Sequence, residues 1–208
     1  NEAPTETEVF SPAQIKDLFE RFGPDHQFYM PMAVAYHTGM RLGECMGLSW
    51  DNVDLDAREI SVRCTVVDEG GVGEVQPVPK SDAGWRTIPF GQKLYRILKA
   101  EKARQAARRL EYGPHYHAND LVCCWPDGSM LISDNMRYFG MYCKDAFGLG
   151  SFHSLRHTHA TMLLEAGVEL EIVSKRLGHS SIAITAKIYS HVLDRRKAKT
   201  VKLLDEVL

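Results

Sequence analysis

EISVRCTVV at 59–67, followed by EVQPVPK at 74–80 and WRTIPF at 85–90, is the stretch that decides the fold class. In its first segment Ile60, Val62, Cys64 and Val66 alternate with Ser61, Arg63 and Thr65, the two-residue period of a strand with one buried face. Glycine turns and the SDAG run at 81–84 separate the segments, which together predict a small three-stranded antiparallel sheet. On both sides of it the period becomes helical. Upstream, Ser11 and Pro12 supply an N-cap and a first-turn proline for a helix to about Phe22, and helical spacing continues over 26–38. Thr38-Gly39 interrupts the pattern, and LGECMGLSW at 42–50 reads as a further short helix. Downstream, helical spacing occupies 91–111, 133–147, 153–166, 169–177, 181–189 and 194–206, punctuated by Gly113-Pro114, Gly148, Gly167 and Gly178. The predicted fold is mainly α with a small three-stranded antiparallel β-sheet, an α+β domain.

The 208 residues, 44% of them hydrophobic and 25% charged, suffice for one large domain or two small ones. A net charge of −2 gives no overall positive field, so any affinity for nucleic acid must come from patches. Two such patches exist. Between Lys80 and Arg109 nine basic residues face only two acidic ones, and Arg195, Arg196, Lys197, Lys199 and Lys202 form a second cluster. Runs of this kind are usually solvated helix faces, so they permit DNA binding without proving it. The longest apolar stretch, MPMAVAY at 30–36, falls well short of the roughly 18 residues a membrane-spanning helix needs, which points to a soluble, cytoplasmic protein with no membrane partner. Five cysteines in a chain of this size suggest a reducing compartment, and the adjacent Cys123-Cys124 pair is not spaced for a metal. The acidic NEAPTETE opening predicts a linker over 1–10 from something upstream, with a compact domain over 11–191 and a C-terminal tail helix over 192–208.

Chemistry concentrates in FHSLRHTHATMLLEAG at 152–167. On a helix His153 and Arg156 are three apart and share a face, so an imidazole and a guanidinium can converge on one anion. Arg offers a planar fork matched to two phosphate oxygens, while His can donate to a third or carry a proton near neutral pH. An isolated pair of this kind also reads as a polar helix start. His153 and His157, four apart, raise a zinc reading, but the chain lacks both the glutamate of HExxH and any CxxC pair. Further on, KRLGHSSIAITAKIYSH at 175–191 places His179 at a helix end and Tyr189 ten residues later. The same stretch also resembles a helix-turn-helix. Trp85 and Trp125 could stack on bases, although tryptophans in such loops more often fill the edge of a core.

Taken with TGMRLGECMGLSW at 38–50 and PKSDAGWRTIPF at 79–90, these motifs resemble, in order and from about Phe10 to His191, the tyrosine recombinase or phage-type integrase family. The resemblance implies that Arg41 occupies the first arginine motif, with Glu44 as its acidic support, and that Lys80 is the β-hairpin lysine. His153 and Arg156 then match the HxxR pair, His179 the His-or-Trp position, and Tyr189 the nucleophile. One departure is AITAKIYSH, which replaces a commoner threonine-rich run before the tyrosine. The implied activity is site-specific recombination of double-stranded DNA core sites through a 3′-phosphotyrosine, in integration or excision of a mobile element such as a phage or conjugative transposon, with chromosome-dimer resolution as the alternative service. A tetramer on two duplexes, accessory DNA-bending or excision factors, and association with the nucleoid come with it; neither ATP, a metal nor any other cofactor does.

The chemistry agrees independently. A phenol serves as a reversible nucleophile because phenolate is also a tolerable leaving group. With a pKa of about 10 it needs help at neutral pH, which two guanidiniums can give while stabilising the pentacovalent transition state. Lys80 is the candidate general acid for the departing 5′ oxygen, His153 a proton acceptor or phosphate ligand, and His179 a phosphate donor. Three rivals remain at this stage: a type IB topoisomerase, a helix-turn-helix regulator over 169–190 and a metal-dependent nuclease.

Overall fold

The computed structural model describes residues 8–80 and 84–207, with side chains described through Ala198. The chain opens with α1 (Pro12–Arg21), whose Ser11 cap forms a reciprocal box with Gln14. It continues through α2 (Tyr29–Thr38) and the short α3 (Leu42–Met46). Strands β1 (Val53–Asp54), β2 (Glu59–Val62), β3 (Cys64–Glu69), β4 (Val72–Pro77) and β5 (Arg86–Pro89) follow. The rest is helical: α4 (Gln92–Tyr112), α5 (Arg137–Phe147), α6 (His153–Glu165), α7 (Leu170–Leu177), α8 (Ile182–Ile188) and α9 (Ser190–Val207). Among the described residues no helix is long and apolar enough to cross a membrane.

The expected single sheet of 59–67, 74–80 and 85–90 is instead two sheets. β2 pairs antiparallel with β5 and with β1, a two-residue edge strand that the sequence reading did not contain, while β3 and β4 form a separate hairpin. The break falls at Arg63, between β2 and β3, where the side chain turns back to donate to the carbonyls of Val62 and Arg86. Pro77 and Pro79 have no N–H to offer, so β4 stops at Pro77 and cannot extend beside β5. Helical boundaries also move: 26–38 is helical only from Tyr29, and 133–147 opens as a 3₁₀ turn over Ser133–Met136. The segment 42–50 is helical only to Met46 and resumes as a 3₁₀ turn at Trp50–Asn52, and the last helix begins at Ser190, directly after Tyr189.

α2 is apolar around nearly its whole circumference, and such a helix belongs at the centre of a domain. It packs against α3, α4 and α6, with Met32, Ala33, Val34 and Ala35 wholly buried. Two clusters of buried side chains result. The larger gathers α1 to α5 and both sheets and takes in Leu155 of α6. The smaller joins Ala160 and Leu164 of α6 to Val173 and Leu177 of α7, Tyr189 and Val192. At about 1.5–3 kcal/mol per fully buried large apolar side chain, both are strong anchors. α6 therefore spans the two clusters, and Arg156 lies on it between their contributions. Phe10 is buried and its N–H donates to Thr158 Oγ1 at 2.8 Å, while Arg195 pairs with Glu165 at 3.0 Å, so both ends of the described chain are tied to α6.

Candidate active site

Arg41 precedes α3 with extended backbone, and its exposed side chain reaches Glu44 Oε1 through Nη1 at 3.0 Å and the Gly178 carbonyl through Nη2 at 3.2 Å. Arg156, almost wholly buried on α6, donates to the carbonyl of Gly39 at 2.6 Å and to that of Leu177 at 2.8 Å. Gly39 has to be glycine. Its φ is +75°, and a Cβ there would lie 2.7 Å from Leu177 Cδ2 and 2.8 Å from His159 Cδ2. At the end of α7, Gly178 with φ +68° closes the helix in the left-handed conformation and delivers His179, half-buried, whose Nδ1 lies 2.7 Å from Thr185 Oγ1. Ser181 then caps α8, accepting from the Ala183 N–H at 3.1 Å.

Arg41, His153, Arg156 and His179 together line one open cleft of about 480 Å3, with Pro79 and Gly84 on its rim. Lys80 follows Pro79, is exposed, and holds its ammonium 5.2 Å from the centre of the Trp85 ring. It lies in the connection from β4 to β5 rather than in the β3–β4 hairpin, and residues 81–83 of that connection lie outside the described residues. A second hollow of about 350 Å3, lined also by Met40, Met136 and Arg137, shares His153 and Arg156. Tyr189 lines neither. It is fully enclosed in the smaller core cluster, and its hydroxyl lies 2.9 Å from Nδ1 of His157.

The electrostatics follow from this crowding of cations. Burial, then the charges of Arg41 and Arg86, lower the Arg156 pKa to about 10 against the pull of Glu44. Partial enclosure, then Arg156 and Arg41, hold the His153 pKa below 6.5. Burial first, then the neighbouring cations and imidazoles, brings His157 and His179 each to about 4. These rings are neutral at pH 7, so each carries one donor and one acceptor nitrogen. Burial raises the Tyr189 phenol to about 12 although Arg156 works in the other direction. In this arrangement the phenol is protonated and withdrawn, and His157 is placed to accept its proton as a hydrogen bond. Burial works to raise the Glu44 pKa, but the hydrogen bonds and charges of Arg86 and Arg41 hold it below its usual value.

Thus Arg41, Glu44, His153, Arg156 and His179 come together, Lys80 stands at the margin, and Tyr189 sits behind the cleft. Sequence reasoning missed Arg86, which grips both Glu44 oxygens, and the partnership of His157 with Tyr189. It also missed Arg176, which donates to His159 Nε2 and to the carbonyls of Pro89 and His37. The inward period of β5 carried a signal for Arg86, because Arg86, Ile88 and Phe90 share the buried face. Among the described residues no group of three His, Cys, Asp or Glu side chains could hold a metal ion.

Residues 9–196 match the phage integrase family. The chain is 34% identical to a XerC-like tyrosine recombinase of Caldanaerobacter subterraneus, over 98% of this chain and 55% of that protein. It is 29% identical to the ICEBs1 integrase of Bacillus subtilis, over 84% of this chain and 48% of that protein, so it spans about half the length of the curated relatives it matches. Among solved structures, the Tn1549 transposon integrase in complex with transposon right-end DNA superposes with a TM-score of 0.75 at 23% identity, covering 98% of this chain and 69% of that one. The XerA recombinase superposes with a TM-score of 0.71 at 24% identity, covering 95% and 66%. These likenesses establish the fold.

Proposed function

The chain belongs to the phage integrase family, and from that premise we propose that it is the catalytic domain of a site-specific DNA recombinase that cuts and rejoins strands through a 3′-phosphotyrosine at Tyr189. One observation carries this reading: side chains from three separate segments, Arg41, the His153 and Arg156 of α6, and His179, converge on a single open cleft. Two guanidiniums there stabilise charge on the nonbridging oxygens as phosphorus becomes five-coordinate. In the cleavage step Tyr189 Oη passes its proton to the neutral imidazole of His153 and bonds to phosphorus, while the bond from phosphorus to the 5′ oxygen breaks. That oxygen takes a proton from Lys80 and leaves as a hydroxyl. His153 and His179 donate to the phosphate. Religation reverses the step with a 5′-hydroxyl from another strand.

Because Tyr189 starts enclosed and protonated, the reading requires α8 and the start of α9 to shift when DNA fills the cleft. The reading extends to double-stranded core sites as substrate, to a tetramer on two duplexes, and to the tail over 192–208 as a contact with a neighbouring protomer. It includes an upstream DNA-clamping domain joined through 1–10, accessory DNA-bending or excision factors, service to a mobile element, and work in the cytoplasm on nucleoid DNA. Similarity to the ICEBs1 integrase and a XerC-like tyrosine recombinase supports recombination over relaxation of supercoils, the topoisomerase reading.

The test is capture on nicked duplexes from a randomised pool. The wild-type chain should become covalently linked to DNA in excess chelator, with mass spectrometry locating the adduct on Tyr189. Tyr189→Phe should bind without capture. An adduct on another residue would overturn the site. Cleavage without an adduct that chelator abolishes would indicate a metal nuclease, and binding with neither cleavage nor capture would indicate a regulator. Joining of strands from two different duplexes separates a recombinase from a topoisomerase.

A further inference from the structure

Three consecutive carbonyls at the end of α7 each accept from a different arginine. Arg176 O accepts from Arg86 Nε at 2.9 Å, Leu177 O from Arg156 Nη2 at 2.8 Å, and Gly178 O from Arg41 Nη2 at 3.2 Å. The last carbonyls of a helix have no partner within it and form the negative end of its dipole, so they can hold cations that would otherwise repel one another. Among the described residues one carboxylate, Glu44, lies among the three guanidiniums, and each of its oxygens is shared between Arg86 and Arg41. Oε1 accepts from Arg86 Nη1 and Arg41 Nη1, both at 3.0 Å. Oε2 accepts from Arg86 Nη2 at 2.7 Å and from the Arg41 backbone N–H at 2.8 Å.

Arg86 is buried and cannot touch a ligand in the cleft, whereas the Arg41 side chain is 46% exposed and can. The α7 end is itself pinned, because the Arg176 guanidinium is tied to Pro89 and His37. We propose that Arg86 is a positioning residue of this site: its fork, held at one end by the last turn of α7, fixes the Glu44 carboxylate, which in turn fixes the Arg41 guanidinium at the cleft. A lysine could keep the charge but not the three simultaneous bonds, because its ammonium lacks the planar fork. The inference rests on the strand-transfer reading only for its effect on rate; the ordering of Arg41 is a property of the protein without DNA.

Two measurements on the whole chain test it, using Arg86→Lys and, as a second variant, Arg86→Gln. The first is nitrogen relaxation of the Arg41 Nε–Hε group in the absence of DNA. It should change from rigid, with an order parameter near about 0.85, to flexible, below about 0.6, in Arg86→Lys. Unchanged order would overturn the inference. The second is the capture rate at saturating DNA on the nicked duplex that the wild type selects from a randomised pool, made with a phosphodiester or a neutral methylphosphonate at the scissile position. Arg86→Lys should slow capture about 10- to 100-fold on the phosphodiester, the scale of a misplaced reacting group. It should add nothing to Arg41→Ala, and its defect should largely vanish on the methylphosphonate, which lacks the charge Arg41 serves. Equal loss on both substrates, or loss additive with Arg41→Ala, would mean a merely structural arginine. Should the wild type capture no DNA, the strand-transfer reading fails and the Arg41 relaxation alone decides the role of Arg86.

Discussion

Replacing Glu44 with glutamine keeps its shape and removes, among the described residues, the one negative charge within hydrogen-bond reach of Arg41 and Arg86. The two arginines differ in what they lose. Arg41 is 46% exposed, so water compensates it and its share of the cost is small. Arg86 has a side chain only 5% exposed and meets a carboxylate that is equally buried, at 2.7 Å. Breaking such a pair strands a buried charge, which costs about 3–5 kcal/mol. The glutamine oxygen and the Arg176 carbonyl still accept from it, so about 3 kcal/mol is expected for Glu44→Gln. With a urea dependence of about 2–3 kcal/mol per molar, the unfolding midpoint should fall by about 1–1.5 M at pH 7. The pH dependence has a definite sign. The folded-state pKa of Glu44 is held below 4.5, so its stabilisation is present above that value and is lost as pH falls through the folded pKa. The gap between wild type and Glu44→Gln should therefore narrow as the pH falls below 4.5 and through the lower folded-state pKa. A loss under about 1 kcal/mol at pH 7, or a gap that widens in acid, would refute the account of a single carboxylate holding two arginines.

Gly39→Ala must relieve a left-handed φ and a 2.7 Å approach to Leu177, so it should cost about 1–3 kcal/mol in a thermal melt and slow capture by tilting the carbonyl that holds Arg156. Tyr189→Phe removes one buried hydroxyl bonded to His157 and should lower stability by about 1 kcal/mol in urea, while abolishing covalent capture. His157 and His179 have folded pKa values of about 4, below the ordinary 6.5. The unfolded chain therefore binds more protons between those values, and urea midpoints should rise with pH from about 4 to 6.5 and then level off; a flat profile over that range would contradict the burial of these rings. Lys80→Ala should slow cleavage of an ordinary phosphodiester about 100-fold or more. It should have little effect when the 5′ bridging oxygen is sulfur, a leaving group that needs no proton.

Much of this was readable from one dimension because the information was local. Ser11-Pro12 capped the first helix, alternation at Ile60 and Val62 marked a strand, and the three-residue step from His153 to Arg156 placed both on one helical face. The division of the sheet was not readable, because alternation runs through Arg63 without a break and only the pairing partners reveal the change of sheet. The supporting network was hidden for a related reason. Arg86 meets Glu44 across 42 positions and Arg176 across 90, and nothing in a charge count separates a buried arginine from a solvated one. His157 was visible four residues from His153, but that spacing suits a metal pair as well as an edge-to-face ring contact, and its hydroxyl partner, Tyr189, lies 32 positions away.

Tyr189 serves two demands that pull against each other. As a member of the smaller core cluster it fastens the start of α9 to α6 and α7. As a nucleophile it would have to leave that position, since its hydroxyl is enclosed and lines no part of the cleft holding Arg41 and Arg156. Moving it costs the buried area of a large aromatic side chain and a hydrogen bond, about 2–4 kcal/mol together, which is too much for frequent spontaneous exposure and little enough for DNA binding to supply. The low pKa of His157 keeps its ring neutral and able to accept, so the phenol stays fastened at neutral pH. His153 and Arg156, by contrast, stand ready at the cleft, where the Arg156 guanidinium is fixed by two carbonyls before any ligand arrives. On the proposed function, the anion site is thus built in advance and Tyr189, the proposed nucleophile, is kept apart from it. That separation would make reaction conditional on the cleft being filled, because the gain from a bound phosphate would offset the loss of the Tyr189 contacts.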